Sequence, residues 1–370
     1  MALKEKILSL IRASGPISLS DYMMLALYDS EHGYYTTRDP FGVRGDFTTA
    51  PEMSQMFGEL VGAFLVQAWE DRGRPARFHL VELGPGRGTL MADILRAARV
   101  RPGFAEAARV TLIETSPVLR AAQAKTLEKE FTSPNVGRST PRSGVGQGDI
   151  RWTTAIDEIP DDAPLFLVAN EFFDALPIRQ YVKATRGWHE RRIGADGDKL
   201  VFALAADPTP GLAVPDAPEG AVFETSSAAR AIVSETAARI AHSGGMALII
   251  DYGHAQPGFG DTFQAVKAHA YADPLADPGE ADLTAHVDFA MLADAARAAG
   301  ARAHGPATQK AFLESLGSAA RAAALSRAAP DQTADIEAAI DRLTGEAQMG
   351  MLFKVLALSD RPTPPSGFPC

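Results

Sequence analysis

The sequence predicts an α/β fold with an open, doubly wound sheet carrying helices on both faces. Strand-like and helix-like segments alternate from Phe78 onward, the signature of strand–helix–strand units. Leu165–Ala169 and Met246–Asp251 are apolar runs of the kind that fills a strand covered on both sides. The first strand of the alternation closes on Glu82-Leu83-Gly84-Pro85-Gly86-Arg87-Gly88 just before a helical segment opens. Glycines in that place let a backbone approach a bound nucleotide-type ligand.

Taken in order, Leu3, Ile7, Leu8, Leu10 and Ile11 recur at helical spacing until Gly15-Pro16 stops the run. A second helix follows over 18–28, capped by Ser18 or Ser20 with Asp21 in its first turn. Residues 29–52 are rich in Gly, Pro, Thr and Tyr and read as an ordered loop. A helix runs from about Ser54 to Arg72 with Met56, Leu60, Phe64 and Leu65 on one side. Strand Phe78–Leu83, helix Thr89–Arg99, strand Val110–Glu114 and helix Pro117–Glu130 come next. Residues 132–149 hold hardly an apolar side chain and read as a mobile excursion.

Two stretches interrupt the alternation. Residues 178–204 alternate apolar and polar around Ala195-Asp196-Gly197-Asp198, a hairpin pattern, and 205–220 form a Pro- and Asp-rich loop. Residues 253–285 are long and poor in any periodic signal. Ala-rich helices over 309–346 and a last strand, Leu352–Leu358, complete the core, and the four prolines of Arg361–Cys370 predict a disordered tail. The expected organisation is a helical extension and lid loop at 1–75, a main domain at 76–358 with insertions at about 178–222, 253–285 and 309–346, and a tail at 359–370.

Composition narrows the partners. The 370 residues carry 36 basic and 46 acidic side chains, a net charge of -10 that speaks against a nucleic-acid backbone. The lone cysteine, Cys370, allows no internal disulfide and no thiolate metal cluster. No stretch approaches the ~20 apolar residues of a membrane helix, and the acid-bearing start reads directly into a helix rather than an export signal. The expectation is a soluble cytoplasmic protein without membrane insertion. His269 and His286 fit no tight ligand set, so no metal is expected.

The glycine loop also indicates its ligand. Thr89 stands where a dinucleotide fingerprint wants its third glycine. Glu82 would repel a pyrophosphate, but it suits the cationic amino group of a methionine moiety. Both features favour S-adenosylmethionine over NAD, with Glu82, Gly84, Gly86 and Gly88 at its methionine end. Glu114, closing the second strand, is a candidate for the ribose hydroxyls. Asp149 is a candidate for the adenine amine and equally an ordinary loop acid. In Gly45-Asp46-Phe47-Thr48-Thr49-Ala50-Pro51-Glu52, Thr49 belongs either to a lid over the cofactor or to a helix cap.

The acceptor side is expected after the fourth strand, at Asn170-Glu171-Phe172-Phe173-Asp174. Ligands of doubly wound sheets lie beyond the carboxyl ends of the strands. A guanidinium acceptor needs paired carboxylates to orient its fork, so Glu171 and Asp174 are the candidates, with Asn170 contributing its amide oxygen. The plainer alternative leaves Asp174 as a cap and Asn170 as a backbone partner.

Together these motifs resemble the MidA-like family of class I methyltransferases, from about Gly15 to Leu358. The resemblance rests on Gly33-Tyr34-Tyr35, the segments Gly45–Glu52, Glu82–Gly88 and Asn170–Pro177, Asp251-Tyr252-Gly253, Pro278–Phe289 and Met349–Val355. It implies a seven-stranded Rossmann-like sheet whose last strand inserts antiparallel beside the fifth. It implies S-adenosylmethionine held at Glu82, Gly84, Gly86 and Glu114. It also implies a protein substrate, an arginine of a core subunit of respiratory complex I. The pattern departs after Asp261-Thr262, where Phe263-Gln264-Ala265-Val266 replaces the usual Leu-Arg-Ala-Tyr. The resemblance carries nothing for Asp149. Two other readings compete: a cofactor-binding assembly chaperone with little catalysis, and an NAD-dependent oxidoreductase, which Glu82 and Thr89 disfavour. The oligomeric state is left open between monomer and homodimer.

Overall fold

The computed structural model describes residues 2–38, 49–132, 150–212, 214 and 216–368, with backbone only over 129–132. The excursion expected over 132–149, with Asp149, falls almost wholly outside the described residues, as does the first part of the expected lid loop. The chain forms two compact units. One comprises Thr48–Phe173, Ile232–Ala255 and Val287–Cys370; the other comprises Met1–Phe47, Asp174–Ala231 and Gln256–His286.

The first unit is built on a sheet whose main strands are β1 (Phe78–Leu83), β2 (Ala108–Ile113), β3 (Ile150–Thr153), β4 (Leu165–Asn170), β5 (Gly245–His254), β6 (Arg302–Thr308) and β7 (Phe353–Ser359). Their spatial order is β6-β7-β5-β4-β1-β2-β3, with Val287–Asp288 added beside the end of β5. All contacts from β3 to β5 are parallel, and β7 runs antiparallel between β5 and β6. The chain leaves β1 toward β2 and β3, then returns to place β4 on the other flank of β1. The carboxyl ends of β1 and β4 therefore form the switch point where ligands of such sheets bind.

The apolar runs explain the burial. Phe78, Leu80, Phe166, Val168, Leu248 and Ile250 lie on one face, in one core with Phe57, Phe64 and Trp69 of the helix Gln55–Asp71. Val81, Leu167, Ala247 and Ile249, on the alternate face, are equally buried, so both faces are covered. Gly245 begins β5 at φ +124°, where a Cβ would stand 1.9 Å from the Leu165 carbonyl oxygen. Gly245→Ala is expected to lower stability by about 3 kcal/mol or more. An unchanged urea midpoint would show that this β4–β5 register is not the one adopted.

The other unit joins the helices Leu3–Ser14 and Leu19–Tyr28 to an antiparallel sheet of Ile17–Ser18, Gly187–Asp196, Arg179–Ala184 and Val222–Thr225. The expected hairpin is present: Gly187–Asp196 pairs with Lys199–Leu204 across a tight turn at Gly197, φ +61°. Residues 253–285, which carry little periodic signal, contain a three-stranded sheet of Gln264–Lys267, Ala270–Ala272 and Asp282–Thr284. These strands are too short for an alternating pattern to register.

Two expectations differ from the structure. The first 75 residues do not form one extension, because Leu60 and Phe64 of the helix Gln55–Asp71 pack into the sheet core while Leu3, Ile7, Leu19 and Tyr22 pack in the other unit. The tail is not featureless either. Phe368 is buried, its ring 5.6 Å from that of Phe312 and 6.3 Å from that of Phe64. A single aromatic anchor outweighs the proline content that predicts disorder.

Candidate functional site

The site is assembled at the switch point of the sheet unit. Glu82 sits one residue before the end of β1 and is almost fully buried, 3 % exposed. Its carboxylate accepts the backbone N–H of Met91, in the first turn of the helix Thr89–Ala98. Burial raises its pKa from 4.5 to about 8, against the pull of the Met91 N–H and with reinforcement from Asp93 and Glu114. Among the described residues its Oε2 has no hydrogen-bond partner. A buried carboxylate oxygen left open beside a ligand-binding turn fits a cationic group.

Gly84, Gly86 and Gly88 all have positive φ, at +58°, +53° and +81°. A Cβ on Gly84 would meet the Phe172 ring at 2.7 Å, and one on Gly88 would press on Gln123 Cα at 3.3 Å. At Gly84 a side chain has no room, at Gly88 it would be tight, and the positive φ values at all three positions favour glycine. Gly84→Ala combines that clash with an unfavourable φ. Its expected outcome is cofactor binding weakened at least about tenfold in calorimetry. Parental affinity would show that the loop does not approach the cofactor.

Glu114 follows β2 and is 8 % exposed. Its Oε1 accepts the Ser116 N–H at 2.8 Å and its Oε2 the Gln123 amide at 3.2 Å. Burial raises its pKa, while those bonds and Arg120 oppose the shift. Gln123 and Trp152 have no counterpart in the sequence reading. Gln123 is fully buried and also donates to the Gly86 carbonyl at 2.8 Å, while the Trp152 indole donates to its Oε1 at 2.8 Å. Nothing local in the sequence marks a helix-borne glutamine for this; a polar residue on an inward helical face is the one available signal.

Beyond β4, Asn170 Nδ2 donates to Glu171 Oε1 at 3.0 Å, and the Ala50 N–H donates to the same oxygen at 3.1 Å. Glu171 holds a left-handed backbone, φ +50°, which a non-glycine residue keeps only where its surroundings fix it. Buried Asp251, in β5, supplies part of that fixing. Its Oδ2 accepts the Phe172 and Phe173 N–H groups at 3.1 and 2.9 Å. Asp251 thereby clamps the β4 turn.

The short helix Ala50–Met53 links both sides of the site. Ala50 bonds Glu171, and Glu52 takes the Thr89 hydroxyl at 2.6 Å and faces Arg87 at 3.6 Å. Buried Thr49 precedes that helix, but its side chain makes no capping bond. Asp174 belongs to the other of the two units. In the other unit its carbonyl takes the Ala285 N–H at 3.0 Å. There Tyr35 donates to buried Asp282 at 2.7 Å, and burial, then Asp282 and Asp174, push its phenol well above the usual range. Exposed His269 lies at the turn between Gln264–Lys267 and Ala270–Ala272, and the His286 N–H bonds Thr262.

The glycine cradle, the open Glu82 oxygen and the acid after β2 fit S-adenosylmethionine. A model of the S-adenosyl-L-methionine-dependent methyltransferase family Methyltransf_28 matches residues 60–307. The chain is 39% identical over 377 residues to the Drosophila melanogaster protein arginine methyltransferase NDUFAF7 homolog, covering 96% of this chain and 83% of that protein. It is 37% identical over 363 residues to the Homo sapiens protein arginine methyltransferase NDUFAF7, covering 94% and 81% respectively. A Burkholderia thailandensis protein crystallised with S-adenosyl-homocysteine superposes with a TM-score of 0.83 at 30% identity, over 99% of this chain and 94% of that one. The expected cytoplasmic location is corrected by the same relatives, which are named as mitochondrial proteins; bulk composition carries no address. Among the described residues no helix is long and apolar enough to cross a membrane. With two thirds of its length matched by the family model, the chain belongs to the S-adenosylmethionine-dependent methyltransferases.

Proposed function

We propose that this methyltransferase acts on an arginine side chain of a protein, and that the protein is a subunit of respiratory complex I. The observation that carries the arginine is the name shared by relatives matched along nearly the whole chain, protein arginine methyltransferase. The complex I subunit rests on the family resemblance of the sequence motifs.

When bound, S-adenosylmethionine supplies a methyl carbon activated by a cationic sulfur. The chain's task is to hold both partners in line and keep water out. We assign Glu82 to the cofactor's ammonium, Gly84, Gly86 and Gly88 to the close backbone approach, and Glu114 to its ribose hydroxyls. Thr49 takes a place in the lid over the cofactor; Asp149 lies outside the described residues and receives no role. On the acceptor side Glu171 and Asn170 hold the guanidinium. Asp174 belongs to the other unit, and its candidacy rests on the sequence argument alone. As the acceptor nitrogen is methylated it sheds a proton, which a carboxylate on the acceptor side would take and pass to solvent.

Mass spectrometry of complex I subunits from cells with and without this protein tests the reading. A methylated arginine present only with the protein supports it. Identical arginine masses, with impaired complex assembly, would replace it with the chaperone reading.

A further inference from the structure

We propose that Gln123 is a positioning residue of the cofactor site, fixing the glycine loop and the Glu114 carboxylate in one geometry. The inference rests on the assignment of Glu114 to the ribose.

The amide is fully buried on the helix Pro117–Thr132, where a leucine or methionine would pack without the penalty of desolvating a polar group. Its orientation is settled by its partners. The Trp152 indole can only donate, so Oε1 must face it at 2.8 Å. Both amide hydrogens are then directed at acceptors, the Gly86 carbonyl at 2.8 Å and Glu114 Oε2 at 3.2 Å. One side chain thus joins β3, the glycine loop and the acid after β2.

The consequence is geometric. Ser116 N–H holds Glu114 Oε1 while Gln123 holds Oε2, so the carboxylate cannot rotate and its remaining lone pairs point in fixed directions. The same amide holds the Gly86 carbonyl, in a loop where positive φ gives the backbone other options. A Cβ on Gly88 would press on Gln123 at 3.3 Å, so the bare glycine lets the two lie close together. Two contacts with the cofactor, one from the loop and one from the acid, are thereby set at one spacing by a residue that need not touch it.

A double-mutant cycle on the full chain tests this, with Glu114→Gln, Gln123→Met and the double variant, using calorimetry with S-adenosylmethionine and S-adenosylhomocysteine. Gln123→Met is expected to weaken both ligands about tenfold, as losing the support of a ligand-holding residue does elsewhere. The double variant is expected to lose less than the sum of the two single losses, because the share of Gln123 that acts through Glu114 is already gone while its hold on the Gly86 carbonyl is not. In turnover the loss is expected in KM for S-adenosylmethionine rather than in kcat. Parental affinity of Gln123→Met, or losses that simply add, would overturn the proposal. Parental affinity of Glu114→Gln would instead remove the ribose assignment and this inference with it. If Gln123→Met fails to fold, Gln123→Glu keeps the shape and the acceptor for Trp152 but loses both donors. It is expected to bind more weakly still, and parental binding by that variant overturns the proposal equally.

Discussion

Glu82→Gln is expected to make the cofactor-free protein more stable at pH 9 while weakening S-adenosylmethionine binding on the order of 100-fold, the scale of a lost buried charge pair. The two effects have one origin. Burial raises the Glu82 pKa from 4.5 to about 8, so between those values the folded chain holds a proton the unfolded chain has released. The associated stability is complete below pH 4.5, falls as pH rises, and is lost above about 8. Glutamine carries no charge and has no such slope. Its oxygen can still accept the Met91 N–H, while its amide hydrogens face the neighbourhood of Asp93 and Glu114. The advantage of the variant should therefore be absent near pH 4 and largest near pH 9, read as a thermal midpoint raised by a few degrees. A bound cofactor ammonium reverses the balance, because it needs the ionised carboxylate. Unchanged affinity would take Glu82 out of the cofactor site, and a lowered midpoint at pH 9 would show that its charge is not a burden on the fold.

Glu171→Gln is expected to leave S-adenosylmethionine affinity within about threefold of the parent while reducing methyl transfer about 100-fold or more. The oxygen that accepts the Ala50 N–H and the Asn170 amide survives the substitution, so the short helix stays tied to the β4 turn. The negative charge that would pair with a guanidinium does not survive. Glu171→Ala removes both, and is expected to weaken cofactor binding as well as transfer. If the glutamine variant transfers normally, the residue is only an anchor for the short helix Ala50–Met53. If it loses cofactor binding to the same degree as transfer, it belongs to the cofactor site.

What could be read from the sequence follows from how local each signal is. The strands β4 and β5 are visible because each is a contiguous apolar run, and β1 because it ends directly on the glycine loop, whose residues are close in sequence. The edge strand β6 is not, since Arg302–Thr308 offers the core few large side chains and carries Gly305-Pro306 at an irregularity in its pairing. Gln123 acts on Gly86 across 37 residues and on a tryptophan across 29, and neither spacing leaves a periodic trace. Glu171 was legible as a carboxylate in the right place, but its bond to Ala50 spans 121 residues and its left-handed backbone has no glycine to announce it. Tyr35 and Asp282, 247 residues apart in sequence, meet for the same non-local reason.

The most direct test of the account gives the purified chain methyl-deuterated S-adenosylmethionine and a complex I subunit preparation, followed by total acid hydrolysis and mass spectrometry of the amino acids. The account predicts deuterated methylarginine, absent without the chain. Label on another amino acid would contradict the arginine assignment, and no label on protein would contradict methyl transfer to that substrate.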